Sequence, residues 1–401
     1  MDVKSAFLNG ELDKEIYMWV PPGYKAAPGT VWRLKKALYS LKQASWEWYK
    51  KLSRELSSLG FTQIQSDHCV FYKKVNGHHL IIPVYVDDNL IISSSIDLVI
   101  QTKKDLSSHF EMMDLGEIHW ILNMEVTRDC QRQTISLSQS QYIENILERH
   151  GMAKCKLVGT PMEANLKLKK LDTAEMNTTE YQQLIGSLMY GSIGTQFDIT
   201  YDVGVLSHHN HSPGNQHHMA VKQVFQYLQG TSNNYILYDG NSSIQDPVIY
   251  CNADWASDPN DQKSISGYTA ILSGAAISWS SKKQTTISLS STEAEYVAAA
   301  HAAQEAIWIH IFFSEIGHPL KEPIKFYVNN QSAIKLVENP VAHDHTKHID
   351  IKYHFIQDIE ARKIINVKYC PTNDQIADVL TEPLSHKKHK HFTEQMGLRS
   401  T

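Results

Sequence analysis

The sequence predicts a mixed α/β architecture of the α+β kind, spread over two or three domains. Three observations carry this. At 401 residues the chain is long for one core, since domains mostly hold about 100–200 residues. Hydrophobic residues make up 42% and charged residues 20%, the balance of a chain that folds around apolar cores and not of a disordered one. Short β-branched runs alternate with longer stretches of three- and four-residue apolar spacing, so strands and helices interleave along the chain.

The elements follow in order. Leu38, Leu41, Trp48, Leu52 and Leu56 recur at helical steps within Trp32 to Leu59, which predicts one long helix there. Leu80 to Val86 and Leu90 to Ile92 flank Asp87-Asp88-Asn89 and predict a β-hairpin with an acidic tip. Gln139 to His150 predicts a helix closed by Gly151, and the charged stretch from Thr160 to Thr179 a linker. Helices are expected over Tyr181 to Tyr190 and Met219 to Leu228, on either side of a His/Asn/Pro loop, with a turn-rich break at Asp239 to Asp246. Strands follow at Val248–Cys251, Gly267–Leu272 and Ala276–Trp279. A helix comes next from Thr292 to about Ile316, then a strand at Ile324–Val328, a helix after Asn330, a strand at Ile364–Cys370 and a terminal helix. Residues 385–401 are basic and His-rich and are expected at the surface.

Several function classes fall away. No run of 18 apolar residues exists, so no membrane span or membrane partner is expected. Met1 is followed by Asp2 and Lys4 with no apolar segment, so the expectation is an intracellular protein of cytoplasm or nucleus, not a secreted one. Cys69, Cys130, Cys155, Cys251 and Cys370 are odd in number and widely spaced, which predicts reduced, buried thiols and no metal pair. The net charge of −5 argues against wrapping nucleic acid by global charge, so local patches matter. Between Val31 and Leu80 nine Lys/Arg face three Asp/Glu, a stretch able to track phosphates in a salt-sensitive way. Trp46, Trp48 and Tyr49 offer stacking surfaces, although Trp48 falls in helical register with Leu52 and reads better as core.

The first chemical signal is Tyr85-Val86-Asp87-Asp88. Adjacent strand side chains point to opposite faces, so only a turn lets both acids serve one site. Like charges at that distance repel unless a cation lies between them. A bare Asp-Asp pair is equally a solvated turn, but Asp2, followed by Phe7 five positions on, supplies a third acid from a distant segment. Three such acids are the donor set of a two-metal phosphoryl-transfer site, where one Mg²⁺ activates a 3′-oxygen and the other neutralises leaving pyrophosphate.

Asp2-Val-Lys-Ser-Ala-Phe-Leu-Asn-Gly, Lys36-Ala-Leu-Tyr-Ser-Leu-Lys-Gln-Ala-Ser45, Tyr85-Val-Asp-Asp88 and Asp114-Leu-Gly-Glu117 stand in that order. Together they resemble the reverse transcriptase of Ty1/copia-type LTR retrotransposons, part of their Pol polyprotein. The resemblance implies a palm with thumb and connection followed by a ribonuclease H-like domain. It implies Asp2, Asp87 and Asp88 as ligands of Mg²⁺ (or Mn²⁺), and Phe7 as the gate against a ribose 2′-hydroxyl. Lys42, Gln43 and Tyr85 would bind template and incoming nucleotide. The implied partners are an RNA template, a DNA primer, dNTPs and RNA–DNA hybrid; oligomeric state stays open. Three departures stand out. The chain begins at the palm, where the family carries fingers first, which implies a truncated copy. Ser40 and Asn123 stand where the family usually has Gly. Ser45-Trp46 stands where it has Pro-Arg.

Tyr250-Cys-Asn-Ala-Asp-Trp255, Ser290-Ser-Thr-Glu-Ala-Glu-Tyr296, Val328-Asn-Asn-Gln-Ser-Ala-Ile334, Thr346-Lys-His-Ile-Asp-Ile-Lys-Tyr-His-Phe355 and Asp374-Gln-Ile-Ala-Asp-Val-Leu-Thr381 resemble the ribonuclease H part of the same elements. The four metal-holding carboxylates of that pattern fall here on Asn252, Glu295, Asn329 and Asp378, so two acids remain and two positions are amides. An amide offers a carbonyl oxygen but no charge, and a hard divalent cation needs the charge. Asp254 lies about 6–7 Å further along its strand. Glu293 lies about 200° around its helix from Glu295. Neither replaces the lost acids. Glu382 stands where the family has lysine.

The domain reading is therefore 1–165 palm and thumb, 166–245 connection, 246–384 ribonuclease H-like and 385–401 basic tail. The expected function is RNA-directed DNA polymerase with a silent ribonuclease H, in a truncated, partly decayed copy. A non-catalytic nucleic-acid-binding relic, or an active enzyme completed by an upstream segment, stays open. The histidines at 208, 209, 211, 217 and 218 are expected on a surface loop, with no cysteine to complete a zinc site. His343, His345, His348 and His354 are placed near the nuclease region by the resemblance.

Overall fold

The computed structural model describes residues 1–164, 166–243, 246–338 and 347–400, and its elements are α+β as expected. The chain divides into two compact units, Met1–Ile118 with Trp308–Leu320, and His119–Ile307 with Lys321–Thr401.

The first unit holds β1 (Asp2–Val3), β2 (Tyr17–Trp19), β3 (Val31–Arg33), α1 (Ala44–Ser58), β4 (Thr62–Gln63), β5 (Val70–Val75), β6 (His78–Tyr85), β7 (Asp88–Asn89), β8 (Ile92–Ser93), α2 (Ile96–His109) and β9 (Met112–Met113). The sheet runs β4-β5-β6-β7-β1-β9, with β8 also on β6, while β2 and β3 form a separate hairpin. Trp48, Leu52 and Leu56 of α1, four residues apart, bury one stripe of that helix. They meet Val3, Phe71, Leu80 and Ile82 of the sheet and Leu106 of α2. Each such side chain contributes about 1.5–3 kcal/mol of burial. The helix expected from Trp32 to Leu59 is thus shorter than its apolar spacing. Val31–Arg33 pairs with Tyr17–Trp19, and Ser40 at φ 73° breaks any helix before α1.

The second unit begins with β10 (Trp120–Ile121), β11 (Met124–Asp129), β12 (Thr134–Ser138), α3 (Ser140–Arg149), α4 (Thr178–Gly194), α5 (Thr200–Ser207), α6 (Asn215–Thr231) and β13 (Tyr235–Asp239). Helices α3 to α6 share a core of Ile143, Ile146, Leu188, Val203, Val224 and Phe225. Gly151, at φ 67°, closes the α3 segment as expected. The linker stretch is anchored by buried Met162 and Leu168.

Next come β14 (Val248–Asp254), β15 (Ile265–Leu272), β16 (Ala275–Lys283), α7 (Ser291–Glu315), β17 (Ile324–Val328), α8 (Gln331–Glu338), α9 (Lys347–Ala361), β18 (Ile365–Tyr369), α10 (His386–Gln395) and β19 (Leu398–Arg399). The sheet order is β16-β15-β14-β17-β18. Its first three strands are antiparallel, and β17 runs parallel to both β14 and β18. This is the mixed sheet with packed helices that the ribonuclease H resemblance implies.

Three expectations change. The 385–401 segment is no surface tail: Phe392, Met396 and Leu398 are buried in a core with Ile236, Ile376 and Leu380, and β19 pairs with β13. The apolar positions of α10 are masked in sequence by the basic residues between them. His209 and His217 are buried, stacked at 3.9 Å between ring centroids. His217 Nδ1 accepts from Gly214 N at the start of α6. Of the cysteines, Cys251 and Cys370 are buried, whereas Cys69 and Cys130 are exposed. His343, His345 and the start of the Thr346–Phe355 stretch lie outside the described residues, as does the His348 side chain. Among the described residues no helix is long and apolar enough to cross a membrane.

Candidate active site and a second acidic centre

The first centre is built by strand pairing. β6 and β7 form a hairpin with Tyr85 opposite Asp88, and the connection is only Val86-Asp87. β1 lies on the other side of β7 with Asp2 directly opposite Asp88. Directly opposite residues of antiparallel strands share one face, with Cβ atoms about 4.5–5.5 Å apart, so two of the three acids meet across the ladder. Asp87 joins them from the turn.

That turn is held from several sides. Val3 N donates to Asp87 O at 3.1 Å, Asn89 Nδ2 to Asp87 O at 3.0 Å, and Trp48 Nε1 to Val86 O at 2.6 Å. Val86 sits at φ 57°, in the left-handed region, a conformation that costs a β-branched residue about 1–3 kcal/mol. Trp48 is therefore core, as its spacing indicates, and is also the clamp on the strained carbonyl. Burial pushes the Asp88 carboxyl up, with the neighbouring Asp87 and Asp2 charges adding to it. Phe7 sits half-buried on the 3₁₀ turn Ala6–Asn9, its ring 5.0 Å from Tyr39. Lys42 is exposed, Gln43 is the N-cap of α1, and Tyr85 stands exposed at the end of β6.

The basic stretch is partly neutralised within its own unit. Arg33 pairs with Glu15, Lys50 with Asp13 and Glu47, and Lys51 with Glu11 and Glu55. Trp46, exposed, stacks on Tyr49. Asp114 Oδ1 accepts from Gly116 N and from Lys103, which makes the Asp-Leu-Gly-Glu stretch a tied turn.

The second centre gathers the four positions that sequence comparison by motif singled out. Asn252 lies on β14, Glu295 on α7, Asn329 just after β17 and Asp378 on the 3₁₀ turn Ile376–Leu380. Gly267 of β15, the cross-strand partner of Asn252, lets that turn approach: a Cβ there would lie 2.7 Å from Thr381 Cγ2. Asn252 Nδ2 donates to Asp378 Oδ1 at 2.7 Å and to Thr381 Oγ1 at 2.8 Å. Asn329 Nδ2 donates to Asn252 Oδ1 at 3.0 Å, while Asn329 Oδ1 has no donor. Ala253 N donates to Glu295 Oε2 at 3.1 Å. Burial pushes Glu295 up to about 8, with a smaller contribution from Asp378. Burial raises Asp378 to about 6 against the pull of Lys388, whose Nζ lies 2.6 Å from Asp378 Oδ2. Glu293 accepts from Leu289 N, and burial pushes Asp254 up to about 6.

A family model described as reverse transcriptase (RNA-dependent DNA polymerase) matches residues 1–164. The chain is 39% identical, over its whole length, to the Retrovirus-related Pol polyprotein from transposon TNT 1-94 of Nicotiana tabacum, of which it spans 31%. It is 30% identical, over 76% of its length, to a Ty5-1 transposon protein of Saccharomyces cerevisiae, of which it covers 100%. The chain belongs to the Ty1/copia-type retrotransposon Pol family. Among solved structures, a foamy viral protease–reverse transcriptase in complex with double-stranded DNA is similar at 14% identity, with a TM-score of 0.49, over 86% of this chain and 52% of that one.

The two centres differ in the donors they would offer a metal. Among the described residues, no group of three or more His, Cys, Asp or Glu side chains is arranged to hold an ion. At the first centre the donors are nevertheless all hard oxygens, and Asp88 is raised first by burial and then by the Asp87 and Asp2 charges, a repulsion that a cation would lessen. At the second centre the amide nitrogens of Asn252 and Asn329 point at the oxygens a cation would need, and Lys388 takes the remaining Asp378 oxygen. By donor chemistry the first centre suits a divalent ion, although its three carboxylates are not gathered into a ligand set, and the second centre does not.

Sequence reasoning missed Asn89, Thr381 and Lys388. Asn89 is buried beside the acids and ties their turn; Thr381 and Lys388 complete the second centre. Asn89 was visible as the third residue of the acidic tip. Lys388 gave no signal, because the reach from α10 to Asp378 is a tertiary contact.

Proposed function

We propose that this chain is the RNA-directed DNA polymerase part of a Ty1/copia-type Pol, copying an RNA template into DNA from a DNA primer with dNTPs. Its ribonuclease H centre is silent. Residues 1–165 supply the polymerase, 166–245 connect, and 246–384 form the ribonuclease H-like part, with α10 packed on its Ile376–Leu380 turn and β19 paired with β13 of the connection. The observation that carries the polymerase reading is Asp2 standing opposite Asp88 with Asp87 in the adjoining turn.

Asp2, Asp87 and Asp88 are the residues to hold Mg²⁺ (or Mn²⁺), which when bound activates the primer 3′-hydroxyl and neutralises pyrophosphate. The chain's own residues do the rest. Trp48 and Asn89 fix the turn that carries Asp87. Phe7, backed by Tyr39, presents a ring at which a ribose 2′-hydroxyl is excluded by contact. Lys42, Gln43 and Tyr85 lie on exposed or half-exposed backbone able to meet template and nucleotide. The amides at 252 and 329 support the silent nuclease, because Asn252 with Lys388 satisfies Asp378, Ala253 N bonds Glu295, and Asn329 holds Asn252, all without a cation. The relic reading gains no specific support at the first centre, where all three carboxylates are kept.

Primer extension on an RNA template with Mg²⁺ tests the polymerase. Extension is expected for the full chain, and Asp87→Asn should reduce it at least about a hundredfold, the scale of losing several kcal/mol of transition-state stabilisation. No extension by the full chain, or equal extension by the variant, would defeat the reading.

A further inference from the structure

The second centre is closed on itself. Both Asp378 oxygens are engaged, Oδ1 by Asn252 Nδ2 at 2.7 Å and Oδ2 by Lys388 Nζ at 2.6 Å. Asn252 is held in turn by Asn329 at 3.0 Å and donates to Thr381 at 2.8 Å. The Asp378 side chain is only 3% exposed, so the ammonium reaches into the protein to meet it. Two further features steer Lys388 there. Glu382 Oε1 lies 3.7 Å from its Nζ, and the Phe392 ring lies 5.2 Å beneath it. The helix that carries Lys388 is fixed by the next residue: His389 Nε2 lies 3.1 Å from the Asp198 carbonyl oxygen in the interior. A buried carboxylate is tolerated only when paired and hydrogen-bonded, and here the pairing comes entirely from side chains of this chain.

We infer that Lys388 is the built-in cation of this centre, which together with the amides of Asn252 and Asn329 makes it a metal-independent latch holding α10 against the Asp378 turn. This rests on the silent-nuclease reading and goes further, giving the altered pocket a function of its own. Removing Lys388 leaves the buried Asp378 carboxylate without its cation, so this half-buried lysine matters for stability in a way a fully exposed one does not.

The test uses the full chain in an Asp2→Asn/Asp87→Asn/Asp88→Asn background, which removes metal binding at the first centre. Thermal unfolding is followed in EDTA and in MgCl₂. The background protein should unfold at the same temperature in both. Lys388→Met should unfold at least about 3 °C lower in both, and Lys388→Arg should recover most of that loss. Asn252→Asp/Asn329→Asp should unfold lower in EDTA and be raised by MgCl₂. If Lys388→Met yields no folded protein, Lys388→Gln takes its place with the same expectation. A Met or Gln variant that unfolds with the background protein, or a background protein that MgCl₂ stabilises, overturns the inference. Failure of the underlying reading shows separately, as cleavage of a labelled RNA–DNA hybrid by the chain with its first centre intact.

Discussion

Ser40 and Val86 carry side chains at φ 73° and 57°, where glycine is at ease and other residues are strained. They fall in two of the four stretches that carry the reverse transcriptase resemblance, one ahead of α1 and one at the acidic turn. Ser40→Gly should stabilise the first unit by about 1 kcal/mol, read as a higher urea midpoint with unchanged slope; a lower midpoint would mean that the hydroxyl makes a contact worth more than the strain. Asn123, also at a position where the resembling family has glycine, lies at φ 55°, and asparagine tolerates that region better than serine. The glycine that the family usually has at 40 and 123 thus has a backbone reason, the left-handed φ of both positions. The acids themselves were legible from spacing and type. What spacing left out was the partner of each one: Asn89 ties its own turn from two residues away, whereas Thr381 and Lys388 reach Asn252 and Asp378 through folding, not along one strand or helix.

Elements were read best where one face is apolar and the ends are marked. The α3 segment, with its glycine stop, and β14, β15 and β17, with continuous apolar runs, formed close to where expected. The Trp32–Leu59 pattern misled because residues of a hairpin and of a left-handed turn fell by chance into helical register with α1. At β15, Gly267→Ala should cost several kcal/mol, because its Cβ would meet Thr381 Cγ2 at 2.7 Å and Leu380 Cβ at 2.8 Å in a packed interior. A loss below about 1 kcal/mol in chemical unfolding would show that the Asp378 turn shifts freely.

The stacked pair of His209 and His217, the latter in the first turn of α6, gives a pH signature. Burial, then the charge on His217, lowers His209 to about 4 from 6.5. Its folded pKa lies below its unfolded one, so the unfolded chain binds more protons between those values. The contribution is complete above about pH 6.5 and is lost as pH falls toward 4, up to about 3 kcal/mol. His209→Gln should flatten that part of the stability–pH curve; an unchanged slope would refute the assignment.

Taken as a whole, the chain carries a net charge of −5, so the nucleic-acid binding that the proposed function requires rests on local basic residues. Of the nine basic residues between Val31 and Leu80, Arg33, Lys50 and Lys51 are paired with acids of the same unit. The log–log salt dependence of hybrid binding should therefore be no steeper than about −5, where nine free charges would give about −8. Titration at several KCl concentrations checks this, and a steeper slope would mean that the pairs open on binding.

One reaction examines the two centres at once. The full chain is given Mg²⁺, dNTPs and a primer on an end-labelled RNA template, and both strands are followed in time. The account predicts a primer that lengthens along an RNA that keeps its full length. A template that shortens as the primer grows, or a primer that never lengthens, would contradict it.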